Sequence, residues 1–305
     1  MTITSLLFLF CFLPIVLAIY YIANDNAKEC ILLIASLIFY SIGSLRYLML
    51  FIVVMALTII IGRVMDLINS KALRRLLLVL GVIVNISVLG YYKYTDFAIL
   101  TLNKIFDSSI ELKELLLPLG ISFFTFKAIS YLVDVYKGKI ELQKCSPLHD
   151  AFYLSFFAQV QSGPLTRYSG SFCVDRVERK AMFSDGVWRF LIGFNKKVLL
   201  ANVLSNITTE IFSTEFENFS TAYAWLGSIC YSLQLFYDFA GYSDMAIGIS
   251  EMFGYKCMEN FNYPYMTESV AKFWRRWHIS LSEWFRDYIY IPLGADCPKT
   301  LNSLI

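Results

Sequence analysis

Long apolar runs, separated by only a few charged residues, decide what this chain can fold into. Residues 3–23, 30–43 and 47–62 are almost wholly apolar, divided by the short polar stretches 24–29 and 44–46. A helix that crosses a bilayer needs about 20 such residues. The second run is shorter, so its ends are expected to extend into the flanks. Charged residues make up 16% of the chain and hydrophobic ones 57%, with a mean hydropathy of +0.58, whereas a soluble domain carries about 25% charge. The chain therefore reads as an all-α, polytopic transmembrane protein. No Lys or Arg precedes Lys28, so the basic region of a signal peptide is missing and 3–23 is expected to remain as the first membrane helix.

Arg63, Asp66, Lys71, Arg74 and Arg75 form the densest basic loop of this half. The positive-inside bias places it in the cytoplasm and the N-terminus outside. Residues 76–92 then cross back, and 96–114 is a mixed segment suited to the surface. The net charge of +2 points to no nucleic-acid partner. The seven cysteines are scattered without a CxxC pair, which gives neither a metal site nor a disulfide framework.

Residues 117–136 carry Lys127 and Asp134 inside an apolar run. Such groups face a cavity or another helix, or else snorkel to opposite interfaces. Residues 137–150 read as a polar loop in which His149 is solvated. At 159–168 a Gln-rich backbone broken by Gly163-Pro164 must be buried in protein or line a wet cavity, because lipid cannot satisfy it. Segment 174–180 reads as a charged surface loop, and 187–204, with Arg189, Asn195, Lys196 and Lys197, as a tilted or partly re-entrant helix. Along 221–248, Gln234, Asp238, Gly241, Met245 and Gly248 share one helical face where small residues allow close packing. Asp238 and Asp244 either line a chamber and hold basic residues of a later helix, or form structural ion pairs. No internal repeat divides the chain, and 1–305 reads as a single membrane-embedded domain of roughly seven to ten helices, some short, broken or in-plane.

The stretch 260–294 concentrates the chemistry: three of the five tryptophans, Trp274, Trp277 and Trp284, and His278, one of two histidines. Pro264 forces a bend, and Thr267 is placed to cap a helix behind it. On one continuous helix, Val270, Phe273, Trp274, Trp277, Leu281, Trp284, Phe285 and Tyr288 fall within an arc of roughly 120°. Lys272, Arg275, Arg276, Glu283, Arg286 and Asp287 take the opposite side. Such a helix is an interfacial anchor, or it carries a site. His278 lies one turn from Arg275 and Ser282. An imidazole suits the base that acyl transfer to a hydroxyl requires, and arginine suits the developing oxyanion.

The run F-W-R-R-W-H-I-S-L-S-E-W-F-R-D-Y-I-Y-I-P-L-G at 273–294 resembles the signature of the membrane-bound O-acyltransferase superfamily, in its bacterial polysaccharide O-acetyltransferase branch. Y-D-F-A-G-Y-S-D-M-A-I-G at 237–248 and L-P-L-G-I-S-F-F-T-F at 117–126 are similar to further family blocks. The resemblance implies a catalytic role for His278, with Arg275, Arg276, Ser282, Asp238, Asp244, Gln161 and Arg167 as substrate-binding candidates. It also implies an activated acyl donor on the cytoplasmic side, acetyl-CoA, with no bound cofactor. The implied partners are the lipid bilayer, a polysaccharide acceptor and an extracytoplasmic acetyltransferase protein, and the implied location is the bacterial cytoplasmic membrane. The family's usual base histidine lies downstream of the W-H-x-S-L motif. This sequence stops at Ile305, eleven residues after Gly294, which leads us to expect a fragment of a longer acyltransferase. The competing classes are an inactive homologue serving as a scaffold or partner-binding protein, and a transporter-like protein.

Overall fold

A computed structural model describes residues 2–42, 45–140, 142–160, 163–168, 178–213 and 220–292. Their regular elements are all helices, with no strand among the described residues and an isolated antiparallel bridge between Phe261 and Trp277. The all-α expectation is met. The chain divides into two compact units, Met1–Gln161 with Leu165–Phe172, and Ser162–Pro164 with Cys173–Ile305.

In the first unit a π-helical turn, Phe8–Phe12, leads into α1 (Leu13–Ile22), followed by α2 (Asp25–Ser41), α3 (Leu45–Leu67) and α4 (Lys71–Phe106). Both α3 and α4 are long and apolar enough to cross a membrane. At 36 residues, α4 is about 54 Å long, more than the roughly 40–45 Å of a whole bilayer. It continues through 96–106, where the sequence suggested a separate surface segment. Asp107 ends it in the left-handed region, φ 47°, and the Asp96 carboxylate accepts from the Lys113 N–H at 2.9 Å, holding the returning chain.

α5 (Ile121–Tyr136) starts at Gly120, which has φ +65°. A Cβ there would lie 2.0 Å from the Val160 carbonyl oxygen, so only glycine fits. Lys127 and Asp134 are both buried, at 2% and 0% exposure, which decides against snorkelling. The Lys127 ammonium donates to the Tyr153 carbonyl (2.7 Å) and to Gln159 Oε1 (2.8 Å) and lies 4.7 Å from the Tyr153 ring centroid. Thr166 Oγ1 donates to the same amide oxygen at 2.8 Å. One ammonium thus ties the end of α6 to the side chain of Gln159, and through it to Thr166. As the breaks in the sequence required, residues 163–166 are buried.

His149 departs from expectation. Ser146 caps a helix, accepting from the His149 N–H at 3.1 Å, and Pro147 opens it, so α6 (Pro147–Ser155) replaces the supposed loop. His149 is 7% exposed, with Nδ1 2.9 Å from Glu29 Oε1. Next to it, Asp150 is fully buried and receives Arg63 Nε (2.9 Å) and Nη2 (2.7 Å) together with the hydroxyls of Tyr168 (2.6 Å) and Tyr131 (3.2 Å).

The second unit contains α7 (Glu178–Asn195), a π-helical turn Lys196–Ala201, α8 (Asn202–Phe212), α9 (Thr221–Met252), α10 (Val270–Trp274), α11 (Ile279–Phe285) and a last π-turn, Arg286–Tyr290. Helices α7 and α9 touch backbone to backbone. A Cβ on Gly193 would lie 2.6 Å from the Gly241 carbonyl oxygen, and one on Gly248 2.5 Å from that of Gly186. The small-residue face read from 234–248 is therefore a packing face, and it fixes where Asp238 and Asp244 point.

Candidate functional site

The second unit breaks the stretch that periodicity reads as one helix. α10 lasts one turn, α11 two, and residues 275–278 form a bend between them. The aromatic arc of 270–288 is consequently not a continuous face. Ser269, not Thr267, caps α10, accepting from the Lys272 N–H at 3.2 Å. Thr267 Oγ1 instead donates to the Pro264 carbonyl.

Tertiary pairing explains the break. The Asn262 N–H donates to the Arg276 carbonyl and the Ile279 N–H to the Asn260 carbonyl, both at 3.0 Å. Between those bonds the Trp277 ring stacks on Phe273 (centroids 5.5 Å apart, 18° between planes) and meets Phe261 edge-on at 5.1 Å. His278 pays for this geometry with a left-handed backbone, φ 47° and ψ 51°. That conformation costs a non-glycine residue roughly 1–2 kcal/mol and persists only where the surroundings over-determine it.

The imidazole is well defined by its neighbours. Nδ1 lies 2.9 Å from Asn260 Oδ1, and the ring stands perpendicular to Phe239 of α9 at 4.7 Å. Neither α10 nor α11 is long enough to span a membrane, so His278 lies outside the spanning segments. Burial pushes its pKa from 6.5 down to about 4, and at neutral pH the ring is uncharged. Asn260, which sequence reasoning left without a role, is completely buried. A buried amide ahead of a proline bend was the available signal, but nothing in the spacing linked it to His278.

Asn260, but not His278, lines a cleft of about 490 Å³, together with Phe261, Tyr263 and Ile279 and, from α7 and α9, Arg189 and Asp244 among others. Asp244 accepts from Arg189 Nε (2.6 Å) and Lys196 Nζ (2.5 Å), while Arg189 Nη2 reaches Glu259 Oε2 (2.5 Å). Two cations and two carboxylates leave the cluster neutral. Asp238 pairs with Lys197. Of the two sequence readings, ion pairing holds for both aspartates. Their basic partners come from 189–197, however, and not from 272–286, because the glycine contacts of α7 and α9 bring those two helices together.

Of the other candidates, Arg275 and Arg276 occupy the bend and Ser282 the first turn of α11, its N–H donating to the His278 carbonyl at 3.1 Å. Arg167, half-buried, belongs to the first unit. Gln161 and the 174–177 part of the charged loop lie outside the described residues, as do Leu293 and Gly294.

Asp244→Asn should lower the yield of monodisperse protein in detergent, since two cations lose their common partner. Adding Lys196→Gln should restore part of it and adding Arg286→Gln none. Equal rescue by both would refute the assigned pairing.

A half-buried neutral histidine, held by an asparagine that itself lines a cleft, has the parts of an acyl-transfer site. Comparison with known proteins gives the same direction. Residues 139–305 match MBOAT, the membrane-bound O-acyltransferase family. The chain is 40% identical over 99% of its length to a probable alginate O-acetylase, AlgI, of Pseudomonas aeruginosa, covering 59% of that protein. It is 35% identical over 97% of its length to a peptidoglycan O-acetyltransferase of Helicobacter pylori, covering 62%. To a teichoic acid D-alanyltransferase of Bacillus subtilis it is 35% identical over 57% of its length, covering 45% of that relative. The chain thus spans about three fifths of the length of the first two of these relatives. With more than half of its residues inside the family match, the chain belongs to the membrane-bound O-acyltransferase family.

Proposed function

We propose that this chain performs O-acyl transfer to a cell-envelope polysaccharide. An acetyl group from a cytoplasmic thioester, acetyl-CoA, is moved toward sugar hydroxyls outside the bacterial cytoplasmic membrane, with an extracytoplasmic acetyltransferase protein completing delivery. The observation that supports this best is His278 in its strained bend, bound to Asn260 of the 490 Å³ cleft, together with relatives whose names specify sugar polymers.

The low pKa bears on the role. A general base works best with a pKa near the operating pH. A ring held near 4 is a weak proton carrier but a permanent hydrogen-bond acceptor at neutral pH. In this reading the attacking hydroxyl donates to His278, which aims its oxygen at the thioester carbonyl. The C–O bond forms as the C–S bond breaks, the sulfur leaves as thiolate, and the hydroxyl proton passes on to it through solvent. Arg275 and Arg276 from the bend and Ser282 from α11 are the nearby candidates for holding substrate, with Asp238, Asp244, Gln161 and Arg167 from elsewhere.

The test is the chain, alone and rejoined to its downstream reading frame, in lipid vesicles with labelled acetyl-CoA, an acceptor glycan and the partner protein, with transfer expected from the rejoined form. Ester-linked label should appear on the glycan, and His278→Asn should reduce it by about 10²-fold or more. Because the neutral ring is the working form, transfer should hold from pH 8 to near 5 and fall as pH approaches 4. No label, or label unaffected by the substitution, would rule the reading out.

A further inference from the structure

We infer that Asn260 is the positioning residue of His278, a carboxamide that dictates which imidazole nitrogen carries hydrogen and where the other one points. The geometry carries this. Asn260 is 0% exposed and is tied down at every polar atom that faces the bend. Its Oδ1 accepts from Ser280 Oγ at 2.9 Å and is 2.9 Å from His278 Nδ1, its Nδ2 donates to Ser243 Oγ of α9 at 3.0 Å, and its own carbonyl receives the Ile279 N–H at 3.0 Å.

In the structure the amide nitrogen faces Ser243 and the oxygen faces the ring, and an oxygen can only accept. Nδ1 is then the protonated nitrogen and Nε2 bears the lone pair. Ser243 belongs to the segment of α9 held against α7, and Ser280 to α11, so the amide is braced from both sides of the bend and the ring inherits that rigidity.

The choice of amide over carboxylate matters. An aspartate here would accept the same hydrogen bond and would also stabilise imidazolium. An asparagine orients without adding charge. The cleft's charged groups, Arg189, Lys196, Asp244 and Glu259, are engaged with one another, and burial is what lowers the ring's pKa. The arrangement sets His278 up as a directed, uncharged acceptor. Its importance for transfer rests on the function proposed above, whereas the tautomer does not.

Nitrogen-15 NMR of the histidine-labelled chain in lipid nanodiscs separates the two. There are two histidines, so His278→Asn assigns the signals. The wild-type His278 ring should show a protonated Nδ1 and an unprotonated Nε2 from pH 8 down to near 5. Asn260→Asp, nearly isosteric and so tolerant of folding, should raise its titration midpoint by about 1–3 units. Ser280→Ala, which spares the Nδ1 bond, should leave the tautomer unchanged. A ring protonated on Nε2, or a midpoint indifferent to Asn260→Asp, would overturn the assignment. In the vesicle assay, Asn260→Asp should shift the acid limb of the pH profile upward by the same interval. The NMR result without any acetyl transfer would sink the function and leave the positioning intact.

Discussion

Asp150→Ala should destabilise the first unit by about 3–5 kcal/mol, the cost of removing one partner from a buried ion pair. The carboxylate is fully buried in α6 and takes hydrogen bonds from Arg63, Tyr168 and Tyr131. Alanine would strand a guanidinium that is only one quarter exposed and leave two phenols without their acceptor. Arg63 would keep its bonds to the Leu142 and Cys145 carbonyls, yet neither carries a compensating charge. Asp150→Asn should cost less, since its oxygen still accepts from a phenol. All five tryptophans lie in the second unit, so the measurement is thermal loss of the tyrosine near-ultraviolet circular dichroism in detergent. A melting curve for Asp150→Ala superimposable on the parent's would remove this carboxylate from the list of stabilising features.

The second large effect is expected at the glycines between α7 and α9. Gly193→Ala and Gly248→Ala each place a methyl group 2.5–2.6 Å from backbone atoms of the facing helix. Backbone cannot rotate out of the way as a side chain can, so the helices must separate. Overpacking of this kind costs about 1–3 kcal/mol per site, and the pair together should exceed either alone. Separation would also draw Asp244 away from Arg189 and Lys196. Gly90→Ala supplies the control: it has nothing within 4 Å of the added carbon, and alanine is the better helix former by about 1 kcal/mol. Tryptophan fluorescence reports the second unit directly. Equal melting temperatures for Gly248→Ala and Gly90→Ala would contradict the close approach.

What the sequence disclosed depended on whether local pattern or distant packing was in control. α3 follows from apolar run length alone, whereas α4 extends past its apolar run on both sides. The spacing of Gly241 and Gly248 shows a face that packs closely, because that property belongs to one helix. Lys127, once buried, had to find acceptors, and the Tyr153 carbonyl of α6 and the Gln159 side chain supply them. The bend at 275–278 was illegible for the opposite reason: residues 270–288 have a good helical period, and what defeats it is Phe261 pairing with Trp277. The partners of Asp238 and Asp244 were misplaced because sequence order does not say which helices are neighbours. His149 is different. Ser146-Pro147 is a legible helix start, and the density of polar residues around it obscured that signal.

The left-handed backbone of His278 restricts what can replace it. Most side chains resist φ near 47°, whereas glycine, asparagine and aspartate enter that region with less strain. Alanine at this position would therefore remove an imidazole and burden the peptide at once, and its phenotype could not be divided between the two. Asparagine keeps the bend and changes only the chemistry. By the same logic, the residues interchangeable here are chosen first by the chain's torsion and only then by their functional group. A position that looks permissive by polarity is in fact strict by shape.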